Sequence, residues 1–185
     1  RSCCSCWTGW GGCRGPANEV LEPYGIRLRF DTALPAADGW PGALWFADHP
    51  ATRGVTNVAY EASWWSGASL RISPGVMPII IGRSGVSDLG RAENRRNACL
   101  GNYRVDRGER VGELVLAAAA TSGRGRVAAF GDSSCWQNAA AADAWRLCYQ
   151  TASWAADRPY RPAHAWPAVL LLLASQLFKL AVPWL

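Results

Sequence analysis

Lysine is nearly missing from this chain. Of nineteen basic residues only Lys179 is a lysine, and the rest are arginines spread along the sequence. A skew of that kind fits a coding bias better than a surface shaped for phosphate tracks, and no DNA- or RNA-binding motif accompanies it. The net charge of +5 therefore does not imply a nucleic-acid partner. The densest basic patch, Arg91, Arg95 and Arg96 in GRAENRRN, reads as a solvated loop. Histidine is equally scarce, with His49 and His164 alone, so imidazole chemistry has two possible locations.

Regular cysteine spacing is missing too. Cys3, Cys4, Cys6 and Cys13 crowd the N-terminus, while Cys99, Cys135 and Cys148 stand singly. An odd total of 7 without a repeat argues against a disulfide framework. The N-terminal cluster lacks the paired C-x2-C spacing of zinc sites, having Cys3 and Cys6 but no second such pair, and it has no neighbouring histidine, so no metal site is expected. No cofactor is expected either. Residues 1–13 read as a Cys-rich, truncated N-terminal segment. No internal repeat or low-complexity tract appears.

Half the residues are apolar and 18% are charged, a composition that supports a folded core. The run WPAVLLLLASQLFKLAVPWL, residues 166–185, is apolar around its whole circumference. About twenty residues at ~1.5 Å each would span a ~30 Å hydrocarbon core, and the sequence predicts a C-terminal transmembrane helix there. Trp166 and Trp184 flank the run, while Lys179 inside it would cost about 2.5–3.5 kcal/mol at the bilayer centre. The stretch DRPYRPAH, from Asp157, supplies a linker over residues 158–165. The expected location is a membrane, with the extracytoplasmic side favoured for the domain and the lipid bilayer as one partner.

Between these ends, residues 14–157 alternate between strand and helix patterns. NEVLEPYG reads as a short helix closed by Pro-Tyr-Gly, and IRLRFD follows as a half-buried strand. DHPATRGVTNVAY suggests a turn leading into a strand. ASLRIS and MPIIIG are further strands, and the contiguous Ile79 to Ile81 suits one covered on both faces. GRSGVSDLGRAENRRNACLGNYRVDRGER reads as one long loop. GELVLAAAAT, a glycine turn and RVAAFGD form a hairpin, and AAAADAWRLCYQTASWAA is a helix with Ala144, Leu147, Cys148, Thr151 and Ala155 on its apolar side. Mixed helices and strands predict an α/β sandwich.

The block GRGRVAAFGDSSCWQN, with GERVGELVLAAAA before it, resembles class I glutamine amidotransferase-like domains of uncharacterised bacterial membrane proteins. NEVLEPYGIRLRFD and DHPATRGVTNV are similar to that family in type and order. The resemblance implies a flavodoxin-like three-layer α/β sandwich acting as a binding module. It departs from catalytic members because no glycine-flanked nucleophile elbow, G-x-C-x-G, follows a strand of the domain; the pattern occurs only at Gly11 to Gly15, ahead of the first expected helix and strand. Neither histidine is followed two residues later by the glutamate that would orient it.

Candidate site residues follow from the expected sheet. Asp132, Ser133, Ser134 and Asn138 would lie on the rim beyond a strand's carboxyl end, where ligands bind in open α/β sheets. Capping the next helix is the structural alternative for Asp132, Ser133 and Asn138. Asp88 and Glu109 could reach the same rim from the long loop and join Asp132 around a cation, although solvated carboxylates beside arginines are commoner. Trp64 and Trp65 suit stacking on a sugar, or simple core packing. The expected function is noncatalytic binding of a ligand, an envelope protein or a glycan. One alternative is a GDSL-type serine esterase using Ser133, with Asp157 and His164 badly spaced for its partners. The other is a structural assembly domain of an envelope complex.

Overall fold

The computed structural model describes residues 14–34, 43–55, 67–91, 100–137 and 144–157. Helix α1 (Arg14–Leu21) runs into a 3₁₀ turn, Glu22–Tyr24, which ends at Gly25 with a φ of 73°. Glycine adopts that left-handed geometry without a Cβ penalty, and here a Cβ would also press on Ser73 at 3.0 Å. Seven strands follow: β1 (Ile26–Leu28), β2 (Asp31–Leu34), β3 (Leu44–Phe46), β4 (Leu70–Ile72), β5 (Met77–Leu89), β6 (Arg110–Ser122) and β7 (Gly125–Phe130). Helix α2 (Trp145–Ala155) closes the described chain.

All pairings among these strands are antiparallel. The main sheet runs β2-β5-β6-β7, with β3 also lying on β5, and β1 pairs with β4 in a second, two-stranded sheet. β2 occupies one end of β5 (Asp31 opposite Leu89) and β3 the other (Phe46 opposite Ile80). β6 and β7 join through Gly123 and Arg124, with Ser122 opposite Gly125. Gly123 has a φ of 56°, the geometry a tight hairpin asks of its first loop residue.

This topology corrects the expected α/β sandwich. A flavodoxin-like sheet, and the amidotransferase-like domain built on it, needs parallel strands joined by helical crossovers. Here successive long strands meet as hairpins, and the described residues form mainly strand with two α-helices. Of the isoleucine run, Ile79 and Ile80 are buried in one and the same core and Ile81 is only partly buried, so the strand covered on both faces is β6 instead. One core contains Ile79, Ile80, Leu114, Leu116, Ala117, Ala119, Leu147 and Trp154, beneath α2. The other contains Ile26, Leu70, Ala118, Ala120 and Ala129, beneath the β1–β4 pair. The alanine run of β6 is thus a central strand whose small side chains let both layers approach. Alanine is a poor strand former by itself, so packing decides its conformation.

The expected membrane placement is corrected as well. Among the described residues no helix is long and apolar enough to cross a membrane. The run 166–185 on which that expectation rested lies outside the described residues, as do the linker 158–165 and the N-terminal cysteines.

Candidate functional site

The site begins with an acid buried between strands. Asp31, at the start of β2, is 1% exposed. Its Oδ1 accepts from Ser69 N at 2.8 Å, and its Oδ2 accepts from Ser69 Oγ at 2.5 Å and from Ser87 Oγ. A carboxylate removed from water needs its lone pairs filled, and these donors fill them. The cluster joins the segment before β4, strand β2 and strand β5. From α1, Arg14 reaches over the same stretch, donating to the carbonyls of Arg29 and Asp31 (the latter at 2.8 Å). Asn18 on the same helix both donates to Leu28 O (3.1 Å) and accepts from Leu28 N (2.7 Å), satisfying the free edge of β1.

Outside this buried clamp lies a groove of about 550 Å³. Five arginines line it, Arg14, Arg27, Arg29, Arg71 and Arg110, against two carboxylates, Asp31 and Glu109. The strand register brings the arginines together. Arg27 stands directly opposite Arg71 in the β1–β4 pair. Arg29, two residues on, shares the face of Arg27, and its N–H donates to Ser69 O at 2.9 Å, so the ladder continues. Arg110 enters from β6 through its pairing with Ser87.

The carboxylates do little to neutralise them. Asp31 is engaged by serine donors, and Glu109 accepts from Leu89 N (3.1 Å) and Asp106 N (2.9 Å). Arg27 pairs with Glu22 at 3.4 Å, an exposed contact of little energetic weight. Arg29, Arg71 and Arg110 have no ion-pair partner among the described residues. Arg29 Nε is buried with no hydrogen-bond acceptor. Burial lowers the Arg29 pKa, Arg110 and Arg71 add to that by repulsion, and Asp31 opposes them. A groove of this kind can attract and hold negative charge.

The residues expected to form a rim divide differently. Asp88 is 1% exposed and accepts from Asn102 N (3.2 Å) and Tyr103 N (2.6 Å), anchoring the loop between β5 and β6. Gly101 lies so near that a Cβ would fall 1.9 Å from Asp88 Oδ1. Burial raises the Asp88 pKa, with Glu109 adding to it and the two backbone donors opposing. Asp88 and Glu109 are therefore neighbours, and Glu109 reaches the groove. Asp132 accepts from Ser134 N (2.8 Å) and Ser134 Oγ (2.6 Å), which caps the 3₁₀ turn Ser134–Trp136. Ser133 makes no side-chain capping bond, and Asn138, Trp64 and Trp65 lie outside the described residues. Among the described residues no group of three His, Cys, Asp or Glu side chains could hold a metal, so Asp132 does not complete a cluster with Asp88 and Glu109.

The thiols and the described imidazole are occupied separately. Cys148 Sγ donates to the Cys135 carbonyl at 3.1 Å. The hydrogen bond between the two thiols raises the Cys135 pKa, helped by burial, and lowers that of Cys148. His49 Nδ1 accepts from Ala51 N at 3.1 Å, capping the turn Pro50–Thr52, and its ring meets Trp154 edge-on at 4.8 Å. Burial lowers its pKa. Among the described residues neither sulfur shares a hydrogen bond with that imidazole.

Sequence reasoning missed the groove because its arginines are far apart in the chain. Alternation in IRLRF does place Arg27 and Arg29 on one face of a strand. Nothing local says that Arg71 will stand opposite Arg27, or that Arg110 will arrive across two strands.

No known protein-family profile matches the chain. No curated protein matches it either. Among solved structures it is similar to one described as "mmIFT52 N-terminal domain", at 15% identity and a TM-score of 0.48, covering 80% of this chain. The chain spans 60% of the length of that structure.

Proposed function

We propose that this is a noncatalytic binding domain whose arginine-lined groove receives a negatively charged ligand. The single observation that carries the reading is the set of unneutralised guanidinium groups at Arg29, Arg71 and Arg110 around one groove. Its volume of about 550 Å³ lies within the range of small-ligand sites. The reading covers a free anion and the acidic segment of a partner protein alike, since both present the same charge. Glu109, one of the rim candidates, belongs to this groove, where it orders the loop by accepting from Leu89 and Asp106.

Thermal unfolding in matched ionic strengths of chloride, sulfate, citrate and tripolyphosphate tests it. Multivalent anions should raise the midpoint of the native chain well beyond chloride, through preferential binding to the folded state. Sulfate also stabilises proteins generally, so the deciding comparison is an Arg71→Glu, Arg110→Glu variant. That variant should keep only the general effect. Equal responses in the two proteins would sink the reading.

A further inference from the structure

We infer that the occupant of this groove is an organic phosphate monoester, its terminal oxygens shared by Arg29, Arg71 and Arg110 and its apolar body resting on Phe30 and Leu89. The inference rests on the anion-binding reading above and narrows it to a chemical class.

Three features select a phosphate. A carboxylate carries one charge and two oxygens, which a single guanidinium fork can satisfy. A phosphate monoester carries about −1.5 to −2 charges near neutral pH and has three terminal oxygens. The groove presents three guanidinium groups without an ion-pair partner, so the count of charges and the count of acceptors both favour the ester. Arg29 Nε adds a buried donor with nothing to donate to, a debt that an acceptor inside the groove would settle. Ser87 stands in the same wall with its hydroxyl donated to Asp31, a lining residue whose oxygens are thereby hydrogen-bonded.

The apolar part of the groove selects an ester over inorganic phosphate. Phe30 and Leu89 line it and remain 39% and 55% exposed, although both are large and apolar. Leu28 is partly buried beside them. Arg14 lies over one side of the Phe30 ring, 5.1 Å from its centroid. The ring also lines the groove, where a flat or aliphatic body can cover its exposed part.

Calorimetric titration of the full chain with phenyl phosphate, inorganic phosphate, benzoate and an oligoglutamate peptide provides the test. Phenyl phosphate should bind about tenfold more tightly than inorganic phosphate or benzoate, and its affinity should fall with added salt. Arg71→Gln with Arg110→Gln should weaken it by about tenfold or more, with a melting temperature no lower than that of the native chain. Phe30→Ala should remove the advantage of the phenyl group while leaving inorganic phosphate binding in place. If inorganic phosphate bound as well as the ester, or oligoglutamate bound more tightly, the organic phosphate would be overturned while the anionic groove survived. If none of the four bound, both would fall.

Discussion

Replacing Asp31 tests how the strands are locked together. The carboxylate is 1% exposed and accepts three hydrogen bonds, one from a backbone N–H and two from serine hydroxyls. Hydrogen bonds to a charged group are worth about 1.5–3 kcal/mol each, and an orphaned buried donor costs about 1–3 kcal/mol. The two hydroxyls can turn to other acceptors, but Ser69 N cannot. Asp31→Ala should therefore cost about 3–6 kcal/mol, a large part of a typical domain's stability. Asp31→Asn keeps the volume and one acceptor oxygen, so Ser69 N stays satisfied while the hydroxyls reverse their roles. Its cost should be smaller, about 1–3 kcal/mol.

Urea denaturation followed by tryptophan fluorescence separates these values. With a slope of about 2 kcal/mol/M, the alanine variant should lose about 1.5–3 M in midpoint and the asparagine variant about 0.5–1.5 M. The groove supplies a second readout of opposite sign. Asparagine removes a negative charge that opposes the repulsion of Arg29 by its neighbours, so anion affinity should rise even as stability falls. An alanine variant as stable as the native chain would refute the hydrogen-bond argument. Weaker anion binding by the asparagine variant would refute the electrostatic one.

Two further substitutions probe the scaffold. Gly67 bridges to Ala33 beside β7, and a Cβ there would sit 2.4 Å from Gly131 O and 2.7 Å from Asp132 Cβ. Because an obstructing carbonyl cannot swing aside, Gly67→Ala should destabilise by about 3 kcal/mol or more, measured by thermal or urea unfolding, and a neutral result would show the strands to be loosely apposed. His49 has its pKa lowered from 6.5 by burial, so the unfolded chain takes up the proton first as the pH falls. Stability should decline as the pH drops below about 6.5. His49→Asn retains a capping acceptor for Ala51 N and should flatten that slope, as judged by unfolding midpoints from pH 7 to 5.

The parts of the fold that were legible in the sequence are those fixed by neighbours in the chain. Gly123 between two apolar runs specifies the β6–β7 hairpin, and Pro23-Tyr24-Gly25 closes the first helical segment as its chemistry demands. The helix expected after SSCWQN exists as α2, although Gln150 and Trp154 share its buried side with Leu147 and Thr151, and Ala155 is exposed. The strand IRLRFD divides between β1 and β2 after Leu28, and at the break Arg14 donates to the carbonyls of Arg29 and Asp31. β5 was the larger miss. Its second half, from Gly82 to Leu89, was read as loop because Ser87 and Asp88 are polar, yet both are buried in the strand with their polar atoms satisfied by Asp31 or by Asn102 and Tyr103. Strand orientation was likewise illegible. An apolar run buried on both faces looks the same in a parallel sheet as in an antiparallel one, and only the covering elements differ.

The same limit explains why the scattered arginines looked like solvated surface. Along the chain, Arg27, Arg29, Arg71 and Arg110 are unrelated positions. In the fold, one register match sets Arg71 against Arg27, and the β2–β5–β6 pairings carry Arg110 to the same wall. Like charges placed directly across a strand pair cost about 0.2–1 kcal/mol, an expense that a neutral residue at either position would remove. Asp31 lies beside the cluster, but its oxygens are spent on Ser69 and Ser87. The acid that stabilises the fold thus makes no ion pair with these arginines, and its charge offsets theirs only in part. A local conflict of this kind, left standing next to a satisfied clamp, is what the proposed anion would relieve. This argues for reading function from the arrangement of charge in this sheet, and from no single motif in the chain.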